Sequence, residues 1–343
     1  MNRNFRPLLA LCCVALMFTA SCTKSYNRGL VVTTTANEAQ LNSLFAALRP
    51  APQTLVVTAG FLQTVYGTNG TRLTFYPNSF KDANGRIITS GIITLQLTEI
   101  YTGGDMILNR ATTVSGGQLL SSGGQVLITA TMNGQEVYAN KYGIGFKQST
   151  PSQQTMNLFY GNTNTSDSSV AWYAPVTPQT GTVAAGTTSS SDTSIVIVVT
   201  PGGLDTVTTH GAVTQYYQFD SCASFNWINC DYFYTSGAQL TDVSLIMPDT
   251  SFNQTNTEVF IVFPTINAAA RMSEYSYTTH TFDLPKGYYI PVGMPIDIAV
   301  ATNKNGIFYY YQQTGITTVN NMVIFSTMEQ DNLLDITNQL HGL

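Results

Sequence analysis

The stretch "QVLITATMNGQEVYA" (residues 125–139) alternates apolar with polar residues on both sides of Asn133-Gly134. Such alternation is typical of a strand that buries one face. Asn-Gly between two alternating runs is the strongest short-range signal of a β-hairpin, because both residues tolerate a positive φ. The same alternation occurs in "TRLTFY" (71–76) and "GIITLQLTEI" (91–100), and the runs are broken by turn residues: Gly67-Thr68-Asn69-Gly70, Asp82-Ala83-Asn84-Gly85 and Gly123-Gly124. Short strands with regular turns predict a sandwich of antiparallel sheets over residues 53–175.

A second series of strand-like runs begins at residue 194 and predicts another antiparallel sandwich over residues 194–343. These runs are "SIVIVVT" (194–200), "VTQYYQFD" (213–220), "TDVSLIMP" (241–248), "EVFIVFP" (258–264), "PIDIAVAT" (295–302), "GIFYYYQ" (306–312) and "TVNNMVIFS" (318–326). The intervening residues 176–193 are nearly pure Thr, Ser, Gly, Ala and Pro, which indicates a flexible linker or a long loop, because such a segment cannot offset its ordering entropy.

Two short helices are predicted, one at each end of the mature chain. The first begins with a capping box at Thr35-Ala36-Asn37-Glu38, and it carries one apolar face of Leu41, Leu44, Phe45 and Leu48. We expect it to pack on the first domain. The second begins with a capping box at Ser326-Thr327-Met328-Glu329, and its apolar face is Leu333, Ile336 and Leu340 before Gly342. The predicted fold class is therefore all-β, with two antiparallel β-sandwich domains and short N- and C-terminal helices.

The N-terminus predicts a secreted, lipid-anchored protein. Arg3 and Arg6 precede an apolar run over residues 8–18, which is much shorter than the roughly 20 residues of a membrane-spanning helix. This pattern indicates a signal peptide over residues 1–21. Thr19-Ala20-Ser21-Cys22 resembles the bacterial lipobox, although Leu is usual where Thr19 stands, and the resemblance implies cleavage before Cys22 and lipidation of its thiol. The alternative is an ordinary signal peptide followed by an incidental cysteine. With lipidation, residues 22–52 are a lipidated tether with the first helix, and the protein lies in the cell envelope on the periplasmic or surface face of the outer membrane.

The composition narrows the classes of partner. The charged fraction is 10%, far below the roughly 25% of ordinary soluble domains, and the formal charge moves from −5 to −7 when the two signal-peptide arginines are removed. A mildly acidic chain that is poor in Lys and Arg lacks the electrostatic footprint of a nucleic-acid-binding protein. Cys222 and Cys230, in "CASFNWINC", remain as a matched pair in an oxidising compartment, and they predict a disulfide; the alternative is two buried, reduced thiols.

Three stretches together resemble an uncharacterised family of envelope lipoproteins from Bacteroidota-type bacteria. They are "GTNGTRLTFYPNSFKDANGRIITSGIITLQLTEIY", "DMILNRATTVSGGQLLSSGGQVLITATMNGQEV" and "FNWINCDYFY". The first stretch is also similar to ZU5-type β-sandwich domains, but the His-Phe-Ser tripeptide of self-cleaving relatives does not occur here. The resemblance implies β-sandwiches, of ZU5-like or immunoglobulin-like type, on a lipoprotein, and it implies no catalytic residue.

The sequence offers little metal or cofactor chemistry. The three histidines, His210, His280 and His341, lie far apart, without the spacing of a zinc site. Asp82-Ala83-Asn84-Gly85 resembles the start of a calcium loop, but Ile93 stands where the closing Glu is required, so a hairpin turn is the better interpretation. We therefore predict no metal and no cofactor.

Catalytic carboxylates are the second kind of site considered. There is no Gly-x-Ser-x-Gly motif, and a glycosidase needs two carboxylates that face one cleft. Glu99, Asp105, Asp220 and Asp231 are the candidates, but Asp105 is expected to cap a loop and Asp231 to brace the backbone near Trp227. The sequence therefore predicts a non-enzymatic protein.

Tyrosines are the third candidate. In strands, alternate residues of an aromatic run face outward. Outward tyrosines can stack on sugar rings or form a protein-binding surface. The alternative is that tyrosine simply favours strands and makes cross-strand pairs. The candidate binding residues are Tyr216, Tyr232, Tyr234, Tyr309 and Tyr311.

The leading hypothesis is a non-enzymatic, lipid-anchored envelope protein whose β-sandwiches present a binding or assembly surface to an envelope protein or a glycan. The alternatives are a carbohydrate-binding module and an envelope-polymer hydrolase that uses Asp or Glu. A third alternative is that the protein is a purely structural spacer.

Overall fold

The computed structural model describes residues 35–148, 155–165, 168–174, 182–184, 194–200, 203–209 and 215–343. The predicted signal peptide, residues 22–34 of the predicted tether including Cys22, most of the predicted linker, and His210 lie outside the described residues. Within the described part of the chain, no helix combines the length and the apolar character of a membrane span.

The helices of the described residues are α1 (Thr35–Leu48), α2 (Gly103–Asn109) and α3 (Leu333–His341), with a 3-10 helix at Pro264–Ile266. The first strands along the chain are β1 (Gln53–Thr58), β2 (Gln63–Tyr66), β3 (Arg72–Phe75), β4 (Phe80–Lys81), β5 (Ile92–Ile100), β6 (Val114–Ser115), β7 (Gln118–Met132), β8 (Gln135–Glu136), β9 (Tyr138–Ala139), β10 (Tyr142–Gln148), β11 (Asn157–Thr163) and β12 (Val170–Tyr173). Five more follow in the middle of the chain: β13 (Thr182–Ala184), β14 (Ser194–Thr200), β15 (Gly203–Thr209), β16 (Gln215–Cys222) and β17 (Asn226–Phe233). The last strands are β18 (Leu240–Thr241), β19 (Val243–Ile246), β20 (Thr257–Phe263), β21 (Ala268–Arg271), β22 (Glu274–Ser276), β23 (Thr281–Asp283), β24 (Ile290–Pro291), β25 (Pro295–Lys304), β26 (Ile307–Thr317), β27 (Met322–Phe325) and β28 (Glu329–Gln330).

Two antiparallel sheets form the first sandwich. Sheet A has the strand order β1-β5-β7-β17-β11-β12, with β6 and β8 also paired to β7, and sheet B has the order β13-β16-β10-β3-β2. The alternation read from the sequence places every second residue of these strands in one core between the sheets, as Ile93, Leu95 and Leu97 of β5 show. Met132 and Gln135 pair around the predicted Asn133-Gly134 turn, in which both residues have positive φ.

Two further sheets form the second sandwich. Sheet C has the strand order β21-β20-β25-β26-β28, and sheet D has the order β22-β23-β19-β27, in which β19 and β27 are the one parallel pair of that sheet. A second core lies between them. Strand β20 is buried along its whole length because sheet C is covered on both faces, which explains why "VFIVFP" (259–264) is continuously apolar rather than alternating. The predicted all-β fold with two antiparallel sandwiches and short terminal helices is therefore the observed one.

The three helices lie between the two sandwiches. Their apolar faces join the outer faces of sheets A and C in a third core, which contains Phe45 of α1, Ile107 of α2 and Leu340 of α3. The predicted apolar face of α1 is buried as expected, but the helix packs on the second sandwich as well as the first, since the rings of Phe45 and Phe260 are 6.0 Å apart in an edge-to-face contact. Helices α2 and α3 approach so closely that a Cβ on Gly104 would lie 1.9 Å from the carbonyl oxygen of Leu340.

A buried ion pair crosses this third core. Nη2 of Arg110, the residue that ends α2, lies 2.6 Å from Oε1 of Glu258 on β20, and each side chain is only 2% exposed. Arg271 approaches the same oxygen at 3.3 Å, and the Arg110 guanidinium lies 4.5 Å from the ring centroid of Phe45. Arg49, just after α1, donates from Nε to the carbonyl of Leu108. The ion pair therefore connects the helical layer to the second sandwich.

The strand pairing differs from the domain boundary expected at residues 193 and 194. Strand β17 lies between β7 and β11 in sheet A, and β16 pairs with β10 in sheet B, so residues 215–233 complete the first sandwich. Strand β14, expected in the second sandwich, forms a separate hairpin with β15, and β13 falls within the predicted linker 176–193.

Two local predictions were wrong. Gly123-Gly124 is not a turn but lies inside β7, where glycine is needed because a Cβ on Gly123 would lie 2.9 Å from the ring of Tyr217. Helix α3 begins later than Ser326, with Asn332 as the N-cap residue whose side chain accepts from the backbone N–H of Asp335. Glu329 is in β28 instead, so it cannot complete a capping box.

Candidate functional site

Two of the four candidate carboxylates stabilise local backbone structure. Asp105 and Thr102 form a reciprocal capping box at the start of α2, as the sequence predicted for Asp105. Glu99 is 7% exposed, and its carboxylate accepts from the backbone N–H groups of Asn69, in the 67–70 turn, and of Thr71, just after it, each at 2.8 Å. Both carboxylates are thus used by the chain itself.

Asp231 is fully buried on the outer face of sheet A. Its Oδ2 accepts from Nδ2 of Asn229, and Ser122 donates to Oδ1 of the same asparagine at 3.3 Å. Burial raises the pKa of Asp231 well above its usual range, and the neighbouring Ser122 and Asn229 side chains only partly oppose this shift. Asp231 was expected to contact the backbone near Trp227, but it contacts these side chains instead. Its carboxyl group favours the neutral form.

The remaining titratable candidates do not form a reaction centre in the described part of the chain. Asp220 is exposed and accepts from the side-chain amide of Gln218 at 2.7 Å. Nδ1 of His280 lies 3.5 Å from the hydroxyl of Tyr275. Asp82 accepts from the backbone N–H of Asn84 and from Arg86, as in the predicted turn. Among the described residues, no group of three His, Cys, Asp or Glu side chains could hold a metal ion.

The structure corrects the predicted disulfide, because Cys222 and Cys230 are both buried free thiols. Cys230 lies close to Tyr217. A Cβ added to Gly123 would be 2.9 Å from the Tyr217 ring and 3.1 Å from the Cys230 sulfur, so the ring and the sulfur both lie close to the same point. Tyr217 lies five residues before Cys222 on β16, and five residues of extended strand span on the order of 16 Å. A disulfide requires Cα atoms within roughly 7 Å. Burial raises the pKa of both thiols, so both favour the protonated form.

The five candidate tyrosines do not form one exposed surface. Each is half-buried, and they lie in different parts of the fold: Tyr216 in sheet B, Tyr232 in sheet A, Tyr234 just after β17, and Tyr309 and Tyr311 in sheet C. Tyr309 and Tyr311 pack on the core of the second sandwich while Tyr310 packs on the helical layer, because both faces of sheet C are covered. Tyr216 stacks under the Arg72 guanidinium at 4.5 Å. Of the five, Tyr234 lines an open groove.

That groove, here called the junction groove, lies where the β6–β7 hairpin of the first sandwich reaches the second. Its volume is about 450 Å³. Three segments line it: residues 117–119 at the start of β7, residues 234–240 after β17, and residues 287–291 around β24. Pairing between β18 and β24, and a hydrogen bond from the Tyr234 N–H to the Leu119 carbonyl at 2.9 Å, connect these segments.

The lining of the junction groove combines aromatic rings with neutral polar groups. Tyr289 is 49% exposed and Tyr234 is half-buried, while Gln118, Thr235 and Ser236 are exposed at the rim. None of the described residues that line the groove is an Asp, Glu, Lys, Arg or His. A small apolar extension of about 20 Å³ continues inward beside Tyr288.

Sequence reasoning missed Tyr289, Gln118 and the other groove residues except Tyr234. The available signal was "KGYYIP" (286–291), in which two tyrosines lie between Gly and Pro, so that turn geometry rather than strand alternation exposes one ring. A second groove of about 430 Å³ exists at one end of the first sandwich, but its lining includes Lys81 and the Glu136–Tyr138 hydrogen-bonded pair at 2.6 Å. The junction groove is the better candidate, because both sandwiches contribute to it and ligand sites favour such junctions.

No protein-family model matches the chain, and no curated protein has a matching sequence.

Proposed function

We propose that this chain is a non-enzymatic, lipid-anchored envelope protein that binds a partner molecule in the junction groove. The observation that carries the proposal is the groove itself: it is open, aromatic, and formed by two sandwiches that share one helical core. Three of the candidate carboxylates that a hydrolase would need, Glu99, Asp105 and Asp231, are engaged in a turn, a helix cap and a buried polar cluster respectively.

Lipid anchoring is the second part of the proposal. It is supported by the lipobox-like Thr19-Ala20-Ser21-Cys22 and by the resemblance of the chain to envelope lipoproteins of Bacteroidota-type bacteria. Cys22→Ser should abolish metabolic labelling with palmitate and move the protein from the detergent phase to the aqueous phase. Unchanged labelling and partitioning would remove this part of the proposal.

The groove is tested by hydrogen exchange on the mature protein with and without envelope extract. Segments 117–119, 234–240 and 287–291 should become protected together, because they line one site. Protection only at other surfaces would contradict the proposal.

The hydrolase alternative has its own test. Turnover of glycan, ester or peptide substrates that Asp231→Asn or Asp105→Asn abolishes, while each variant keeps the unfolding midpoint of the parent, would replace a binding function with an enzymatic one.

A further inference from the structure

We propose that the junction groove binds an uncharged carbohydrate, with a sugar ring stacked on Tyr289. This inference rests on the proposed binding function and adds the chemical class of the ligand.

The lining excludes a ligand whose recognition depends on charge. Recognition of a phosphate, a carboxylate or an ammonium group relies on an opposite charge or a cluster of N–H donors, and a charge buried without a partner is costly. The described groove residues offer amide, hydroxyl, phenol, apolar and backbone groups only. Uronic acids, sialic acids and phosphorylated sugars therefore fit poorly, and a neutral ligand fits well.

The exposed aromatic ring of the groove favours a ligand with a flat apolar face. Tyr289 is half exposed, and Leu240, which also lines the groove, is 55% exposed. A pyranose ring presents C–H groups on one face and hydroxyls at its edge, so the face can cover the Tyr289 ring while the edge meets polar partners. Gln118, Thr235 and Ser236 supply both donors and acceptors at the rim. Tyrosine suits this use because it joins apolar area to a hydrogen-bonding tip.

The size of the groove excludes two other neutral ligands. The inward extension of about 20 Å³ has room for roughly one water molecule, so an acyl chain cannot extend into it. A volume of about 450 Å³ lies within the range of small-molecule sites, whereas stable protein partners bury broad surfaces of roughly 800 Å² on each side. One or two sugar units of a longer neutral glycan match this space.

The glycines of the groove keep it open. Gly237 and Gly287 have positive φ, and a Cβ added to either would have no neighbour within 4 Å. The groove walls at these two points are therefore backbone that a ligand can approach directly, and the turn conformation favours glycine over larger residues.

The test uses the full mature chain, a glycan array that contains neutral and acidic oligosaccharides, and calorimetric titration of the neutral glycans that bind. Tyr289→Ala should weaken binding by about tenfold or more, because it removes the stacking surface. Tyr289→Phe should keep most of the affinity, because the ring remains. Tyr277→Ala is the matched control, since Tyr277 is equally exposed at 51% but lies outside the groove, and it should bind like the parent. Unchanged unfolding midpoints show that the variants fold.

The outcomes separate this inference from the proposed function. Binding of neutral glycans that Tyr289→Ala weakens and Tyr277→Ala does not supports both. Binding of acidic glycans alone, or glycan binding that is insensitive to Tyr289→Ala, overturns the carbohydrate assignment. An array without any bound glycan, combined with hydrogen-exchange protection of the groove by envelope extract, also overturns it but leaves the binding function intact. Without bound glycans and without protection, both fail.

Discussion

Removal of the buried carboxylate of Glu258 should destabilise the protein strongly. Glu258 is 2% exposed and neutralises Arg110 at 2.6 Å, with Arg271 at 3.3 Å from the same oxygen. Glu258→Gln keeps the shape of the side chain but removes the carboxylate charge that lies 2.6 Å from the buried Arg110 guanidinium. Breaking a buried ion pair at one partner costs about 3–5 kcal/mol. We therefore expect the free energy of unfolding to fall by about that amount.

Urea unfolding followed by tryptophan fluorescence measures this effect directly. The chain has two tryptophans, Trp172 and Trp227, whose rings lie 6.2 Å apart in the same helical core that contains the ion pair. Glu274→Gln is the matched control, because Glu274 is exposed in the same sandwich, and a surface substitution changes stability by less than about 0.5 kcal/mol.

Repeating the measurement at high salt distinguishes a buried ion pair from an exposed one. At 1 M ionic strength the Debye length is about 3 Å, which screens exposed charges but affects buried pairs much less. The deficit of Glu258→Gln should therefore persist in 1 M NaCl. A deficit below about 1 kcal/mol, or one that disappears with salt, would refute the conclusion that this pair is a buried connection between the helical layer and the second sandwich.

Four further outcomes follow from the same structure. Asp231→Asn should gain stability relative to the parent as the pH rises from about 4 to 7. The pKa of Asp231 is raised in the folded state, so the parent loses stability once the pH exceeds the unfolded-state pKa of about 3.9. A difference in unfolding free energy between variant and parent that stays constant with pH would contradict this. Gly161→Ala should lower the free energy of unfolding by about 1–3 kcal/mol in urea titrations, because its Cβ would lie 2.7–2.8 Å from three side chains, including both tryptophans, and a neutral result would refute that crowding. In protein produced without residues 1–22, a thiol reagent should titrate two groups, Cys222 and Cys230, after denaturation and neither before it; an absence of reactive thiols in urea would restore the disulfide. Asn332→Ala should cost about 1 kcal/mol, seen as a lower thermal midpoint, and an unchanged midpoint would count against its role as N-cap.

Periodicity in the sequence predicted a large part of the local structure. The alternating runs predicted the strands that bury Ile93, Leu95 and Leu97, and helical spacing predicted the buried faces of α1 and α3. These predictions depend only on residues close in sequence. The start of α3 failed for a local reason as well, since Ser326 and Asn332 are both good N-cap residues and Ser326 instead donates to the carbonyl of Ile246.

Long-range pairing was beyond the same reasoning. The alternation in β17 is compatible with any sheet, so its place in the first sandwich follows from packing against β7 and β11, not from its own residues. The candidate site shows the same limit. Strand alternation predicted outward tyrosines, but both faces of sheet C are covered, and the exposed ring of Tyr289 belongs to a turn. The junction groove joins three segments that are distant in sequence, and no pattern within one of them specifies the others.

The position of β17 has a consequence for how the chain acquires its structure during synthesis. Strands β7 and β11 both precede β17 in the chain, yet each lacks the neighbour on one of its two edges until residue 233 has emerged. Until then, two central strands display unpaired edges, which readily associate with other chains. The first sandwich therefore cannot complete its folding during synthesis until β17 has been made. Any fragment that stops between residues 174 and 215 retains a gap in the middle of its largest sheet, and it should aggregate rather than behave as an independent module.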